Sequence, residues 1–189
     1  KEKIGFFGGC FNPPINTHIN LANNLIEANI VDKVIFVPVG DYYQKQNLVT
    51  SIHRYNMLKL ACSNYKNLEV ENIASTHKEK LFAKDTFKLL YEKYHNNTDI
   101  YLIMGSDNFE KMPKWKNYGD IIKKYKFIVL ERLKHETTSN LENVLYFKNK
   151  QIEDISSTAI RNKLKSKEDV SNWINKDVLK YIHENKLYI

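Results

Sequence analysis

Hydrophobic positions along the chain change period in a regular way. The run "KIGFFGG" (3–9) is a strand-length apolar stretch closed by two glycines, and "INTHINLANNLIEANI" (15–30) follows with Ile19, Leu21, Ala22, Leu25 and Ile26 at mostly three- and four-residue spacing. That spacing predicts a helix with one buried face. The continuous run "DKVIFVPV" (32–39) suits a strand buried on both faces, and "IHRYNMLKLACSNY" (52–65) returns to the helical period. The alternation continues through "NLEVENI" (67–73, strand), "AKDTFKLLYEKYHN" (83–96, helix) and "DIYLIMGSD" (99–107), a strand opening onto a loop. "NYGDIIKKY" (117–125) then reads as a short helix and "KFIVLER" (126–132) as a fifth strand. Strands alternating with helices predict a mostly parallel, doubly wound α/β sheet, because right-handed crossovers place helices on both faces. "NVLYFKNK" (143–150) offers a last strand, and the part from about 155 to 189 is helical, with "ISSTAIRNKLKS" starting at a Ser/Thr cap and 171–189 closing the chain. Neither a repeat nor a linker breaks residues 1–189, so one domain is expected.

Composition changes this picture little. The chain has 189 residues, 42% apolar and 27% charged, enough to bury a core in a single globular unit. Apolar runs stop well short of the roughly 20 residues a membrane helix needs, and the start lacks the pattern of a secretory signal, so a cytoplasmic protein without membrane association is expected. Cys10 and Cys62 have no metal-ligand spacing and are expected as reduced thiols. The net charge of +7 invites a nucleic-acid reading, but lysines alternate with acids as in "THKEKLFAKD", which fits a solvated surface. Nucleic acid is not an expected partner; small phosphorylated ligands fit the charge as well.

Two stretches carry chemistry. In "GFFGGCFNPPINTH" (5–18), glycines between a strand and a helix let backbone amides approach phosphate oxygens, and His18 stands at a helix start where the dipole favours an anion. The loop matches neither the dinucleotide fingerprint nor the P-loop. Taken alone, it also fits a plain cap by Asn16 or Thr17 with an exposed His18. In "DISSTAIR" (154–161), Ser156, Ser157 and Thr158 precede a helix with Arg161 one turn inside, which makes a second phosphate cradle.

These residues carry a resemblance. "GGCFNPPINTH" resembles the GxFxP…H motif and "ISSTAIR" the ISSTxIR motif of the nucleotidyltransferase superfamily, specifically the nicotinate/nicotinamide mononucleotide adenylyltransferases. "VPVGDYYQKQNLVTSIHRYNMLKLA" resembles the family's substrate loop and following helix, most closely in its eukaryotic branch. "IMGSDNF…KW" resembles the segment that holds nucleotide riboses and a flat ring, and "VLKYIHENKLY" the closing helix, so the likeness spans nearly the whole chain. Two departures stand out. Ile15 replaces the first His of the bacterial HxGH pattern, and "VENIAS" lacks a Trp found after the third strand in the eukaryotic type.

The resemblance implies a Rossmann-like nucleotidyltransferase fold and transfer of AMP from ATP to nicotinate or nicotinamide mononucleotide, with Mg²⁺ held by ATP phosphates and water. It implies His18, Lys45 and Arg161 as catalytic residues. Gly9, Cys10, Phe11, His18, Ser156, Ser157, Thr158 and Arg161 would bind ATP, and Lys45, Gly105, Asp107 and Trp115 the mononucleotide. Phe82 or Trp115 would stack on the pyridine. His53 and Arg54 are read as helix-start residues outside the site, and His77, His95, His135 and His183 as surface. Another adenylyl- or cytidylyltransferase, such as a pantetheine-phosphate adenylyltransferase, and a non-catalytic nucleotide sensor are the alternatives. A homo-oligomer is left open.

Overall fold

In the computed structural model, which describes residues 1–43, 45–131, 141–148 and 155–189, the predicted alternation is present. Strand β1 (Glu2–Gly9) leads into helix α1 (Asn16–Glu27), then β2 (Lys33–Pro38), α2 (Ser51–Cys62), β3 (Leu68–Val70), α3 (Ala83–Tyr94) and β4 (Thr98–Gly105). Helices α4 (Ser106–Lys111) and α5 (Tyr118–Lys124), strands β5 (Lys126–Glu131) and β6 (Val144–Lys148), and helices α6 (Ser157–Lys165) and α7 (Lys176–Glu184) follow. The six strands form one sheet in the order β3-β2-β1-β4-β5-β6, every described pair parallel.

Period-two alternation sorts side chains to two cores. Val34 and Phe36 of β2 and Ile103 of β4 face one cluster, with Leu25 of α1, Met57 of α2, Ile160 of α6 and Val178 of α7. Ile35, Leu102 and Phe127 face the other, with Leu90 of α3 and Ile121 of α5. The strands therefore read as unbroken apolar runs because both faces are covered.

Three boundaries differ from expectation. Strand β3 stops at Val70 because Glu71 turns inward, where its buried carboxylate accepts hydrogen bonds from the Ile73 amide at 3.1 Å, Lys93 Nζ at 2.8 Å and the Tyr94 hydroxyl. The stretch after β4, read as a loop, is α4 and a 3₁₀ turn (Met112–Lys114), both too short to show a helical period. The closing helix starts at Lys176, not 171, because the Asn175 side chain caps it by accepting from the Asp177 and Val178 amides at 2.7 and 3.3 Å. The calls at Arg132, 149–150 and Asp154, and the surface call at His135, lie outside the described residues.

Phe36 has no solvent exposure and its ring lies 5.5 Å from Phe7 and 5.4 Å from Phe11, under the loop that follows β1. Phe36→Ala is expected to cost about 3–5 kcal/mol, read as a lower midpoint in urea unfolding followed by circular dichroism.

Candidate active site

A crevice opens where the strand order reverses. Pairing of β1 with β4 ends at Phe7–Ile103, whereas pairing with β2 runs on to Gly9–Pro38, so the carboxyl ends of β1 and β4 separate. At Gly9 a Cβ would stand 3.2 Å from the Phe11 ring, so glycine lets that ring fold back beneath the strand end. Phe11 adopts a left-handed backbone (φ 50°) with its side chain buried among Phe7 and Phe36. Its role is thus to set the turn from below.

Asn12, 3% exposed, then ties the loop to three other parts of the chain. Its Nδ2 donates to the Asn47 carbonyl at 2.8 Å. Its Oδ1 accepts from the Val49 amide at 3.2 Å and from the Tyr188 hydroxyl at 2.6 Å. Its main-chain carbonyl accepts from Arg161 Nη1 at 2.8 Å.

His18 lies in the first turn of α1, its ring 5.1 Å from Phe11 and 6.5 Å from Phe7, both edge-on. The Ile15 amide donates to its Nδ1 at 3.1 Å, which leaves the proton on Nε2 and makes the ring a neutral donor. Although the residue as a whole keeps some exposure, the ring is buried against Phe11 and Phe7, and this loss of water pushes its pKa down from 6.5 to about 4. Ile15 itself is buried at 2% exposure in the core beside Phe11 and Ile19, so its side chain serves packing and its amide serves His18.

The two cradles meet. Ser157 Oγ donates to the Pro13 carbonyl at 2.8 Å, and Arg161, 8% exposed, reaches Asn12 as above and Thr158 Oγ1 at 3.2 Å. Ser156 is the N-cap, its Oγ accepting from the Ala159 amide at 3.1 Å. The Ser156 and Ser157 hydroxyls thus build the cradle from within the chain. What α6 can offer an anion is its first-turn amides and the remaining guanidinium N–H groups.

Beside this polar corner lies a cavity of about 540 Å³. Gly9, Cys10, Lys45 and Trp115 line it, together with Tyr42 and Asn108. Of the two stacking candidates, Trp115 is a wall, whereas Phe82 is 61% exposed with the Lys80 ammonium 5.1 Å above its ring. Ala74 stands in the wall within the segment where no Trp occurs. Gly105 and Asp107 sit at the end of β4 outside the cavity walls, although their neighbours Met104 and Asn108 belong to them. Open space surrounds Gly105, and Asp107 is exposed.

Arg54, read as a helix-start residue, holds the loop after β1 from within the protein. Its side chain is fully buried, with Nε donating to the Val49 carbonyl at 2.8 Å, Nη1 to the Cys10 carbonyl at 3.1 Å, and Nη2 3.6 Å from Asp41. Burial pulls its pKa down, and the Asp41 carboxylate opposes that. A signal existed: Arg54, Met57, Leu58, Ala61 and Cys62 are the buried positions of α2, so Arg54 opens the helix's apolar stripe. His53 also has a partner, the Tyr181 hydroxyl at 2.7 Å. His77, His95 and His183 are exposed as expected.

Sheet order, crevice and paired cradles define an α/β nucleotidyltransferase-type protein, and residues 6–163 match the family described as cytidylyltransferase-like. Within that class, the chain is 32% identical to the nicotinate-nucleotide adenylyltransferase of Bacillus subtilis, over 99% of this chain and 98% of that protein. It is 33% identical to a probable nicotinate-nucleotide adenylyltransferase of Fusobacterium nucleatum, over 96% and 97%. The chain belongs to the nicotinate-nucleotide adenylyltransferase family. Its fold is shared with Plasmodium falciparum nicotinic acid mononucleotide adenylyltransferase complexed with NaAD, at TM-score 0.83 and 21% identity over 100% of this chain and 98% of that one. Among the described residues no helix is long and apolar enough to cross a membrane.

A folded-state pKa of about 4 against 6.5 in the unfolded chain means that the unfolded state binds more protons between these values. The contribution of a neutral His18 to stability is thus complete above pH 6.5 and is lost as pH falls toward 4. Histidine Cε1–H NMR titration is expected to show one imidazole with a midpoint near 4, and His18→Gln should remove it.

Proposed function

We propose that the chain catalyses attack of the 5′-phosphate of nicotinate mononucleotide on the α-phosphorus of ATP, with nicotinamide mononucleotide as the weaker acceptor. A phosphate oxygen forms the new P–O bond, the α–β bond breaks, and pyrophosphate leaves with the bonding electrons. The acceptor is already an anionic nucleophile, so no covalent enzyme intermediate is required. The protein's work is alignment and offsetting of charge.

The observation that carries this reading is the junction of the two cradles, Ser157 on Pro13 and Arg161 on Asn12, each at 2.8 Å, beside a neutral imidazole donor. His18 Nε2–H donates to the α-phosphate. The amides of Gly9, Cys10 and Phe11 approach the ATP. Arg161 and the first-turn amides at Ser157 and Thr158 take the leaving β and γ oxygens. Lys45 meets the mononucleotide phosphate at the cavity mouth, the Trp115 ring packs on the pyridine, and Gly105 and Asp107 take ribose hydroxyls.

Among the described residues no three His, Cys, Asp or Glu side chains converge on a metal position, and the donors at the polar corner are amides, hydroxyls and guanidinium. That set suits phosphates rather than a bare cation. Magnesium accordingly enters as part of the MgATP substrate, held by phosphate oxygens and water. The whole span 1–189 acts as one catalytic domain, in the cytoplasm.

Pyrophosphate release with ATP and each of nicotinate mononucleotide, nicotinamide mononucleotide and phosphopantetheine tests the assignment. Turnover should be fastest with the first and absent with the last; ATP binding without turnover on any acceptor would favour the sensor reading and overturn this one. His18→Ala is expected to lower kcat by about 10²–10³-fold while the circular dichroism spectrum is unchanged. Full activity of that variant removes the mechanism.

A further inference from the structure

The Tyr188 hydroxyl is buried at 7% exposure and reaches across 176 positions of sequence to donate to Asn12 Oδ1 at 2.6 Å. The same oxygen takes the Val49 amide, while Asn12 Nδ2 holds the Asn47 carbonyl. Asn47 and Val49 flank the end of the segment that carries Lys45, and the Asn12 peptide carbonyl anchors Arg161. One residue, Asn12, therefore fixes the relative placement of His18's loop and Lys45's segment through its carboxamide and of Arg161 through its peptide carbonyl.

A carboxamide in such a place has two orientations that exchange its oxygen and nitrogen. The Val49 amide, which can only donate, and the Asn47 carbonyl, which can only accept, select the one seen. The Tyr188 hydroxyl adds a second donor to the same oxygen and so holds the side chain in place. Burial raises the Tyr188 pKa, opposed by the charges of Arg161 and Arg54, so the phenol stays protonated and donates. The Tyr188 backbone is left-handed (φ 59°), as is Phe11 (φ 50°) on the other side of the contact. Side-chain-bearing residues hold that conformation only where the surroundings over-determine it. Here the ring packs in the core cluster and the hydroxyl is bound, which does so.

Resting on the adenylyl-transfer reading above, we infer that Tyr188 is a positioning residue of the active site: its hydroxyl orients Asn12 and thereby aligns the two phosphate cradles with Lys45. The hydroxyl acts through Asn12 and touches no substrate. Its loss misaligns the reacting groups without removing any of them.

The test compares Tyr188→Phe, Asn12→Ala, the double variant and Leu187→Ala, whose side chain packs half-buried against the same cluster without joining the hydroxyl contact. Steady-state pyrophosphate release, thermal unfolding and amide hydrogen exchange at Val49 are measured on each. Tyr188→Phe should lower kcat by about tenfold or more with little change in either KM, since misalignment costs the transition state. It should add no further loss in the Asn12→Ala background and should speed exchange at Val49. Leu187→Ala should keep its kcat even where its thermal midpoint falls as far as that of Tyr188→Phe. Turnover of Tyr188→Phe within twofold of the unsubstituted protein, an additive loss in the double variant, or an equal kcat loss in Leu187→Ala would each overturn the inference. An unsubstituted protein with no turnover on any acceptor would sink the adenylyl-transfer reading alone. In that case unchanged exchange at Val49 in Tyr188→Phe overturns the positioning role, and accelerated exchange upholds the orientation of Asn12.

Discussion

The Asn12 side chain joins its own loop to two segments far apart in sequence while sitting almost wholly out of water. A buried carboxamide left without partners is costly, so its satisfaction couples the folding of all three. The β1–α1 loop cannot take its observed path unless the 47–49 segment and the chain end are in place, and Arg161 closes the set through the Asn12 carbonyl. The crevice at the end of β1 and β4 would exist without this contact. What the contact adds is that the crevice is lined by the same groups each time.

The electrostatics follow from the same arrangement. Two guanidinium groups, Arg54 and Arg161, are buried beneath one turn and each spends an N–H on one of its carbonyls, at Cys10 and Asn12. In a planar trans peptide the carbonyl and the following N–H point in opposite directions, so holding the Cys10 oxygen on Arg54 turns the Phe11 amide away from it. Arg54 is only partly compensated: Nη2 has no hydrogen bond and meets Asp41 at 3.6 Å, an acid whose side chain is 59% exposed. A buried cation whose charge is only partly compensated is costly, and the two carbonyls that Arg54 holds offset part of that cost. His18, kept neutral by burial, fits a donor that need not carry charge of its own.

The fold was legible from periodicity wherever strands are buried on both faces. "VIFV" in β2 and "FIVL" in β5 could be little else, and the order of elements left few topologies once right-handed crossovers were required. What escaped were features decided by single side chains: Glu71 ending β3 and Asn175 delaying α7. At the site, motifs found His18, Arg161 and the cavity residues Lys45 and Trp115, because loops and helix starts with unusual composition stand out locally. Arg54 escaped because a charged residue at the head of an apolar stripe looks like a solvated helix end until its partners are known. Asn12 and Tyr188 escaped for a stronger reason. Their contact joins opposite ends of the chain, and no local pattern encodes a separation of 176.

The replacement of the first motif histidine by Ile15 becomes intelligible in these terms. At this position the structure uses two things, a peptide N–H that holds His18 Nδ1 and a side chain that fills the core beside Phe11 and Ile19. Every residue except proline supplies the first. Isoleucine supplies the second well, since burying such a side chain is worth about 1.5–3 kcal/mol. A histidine here would have to leave that packing to reach a phosphate. In the mechanism proposed above, Arg161 and the α6 amides supply charge offset at the junction of the cradles, so that mechanism needs no second imidazole here, and the Ile15 amide keeps His18 oriented.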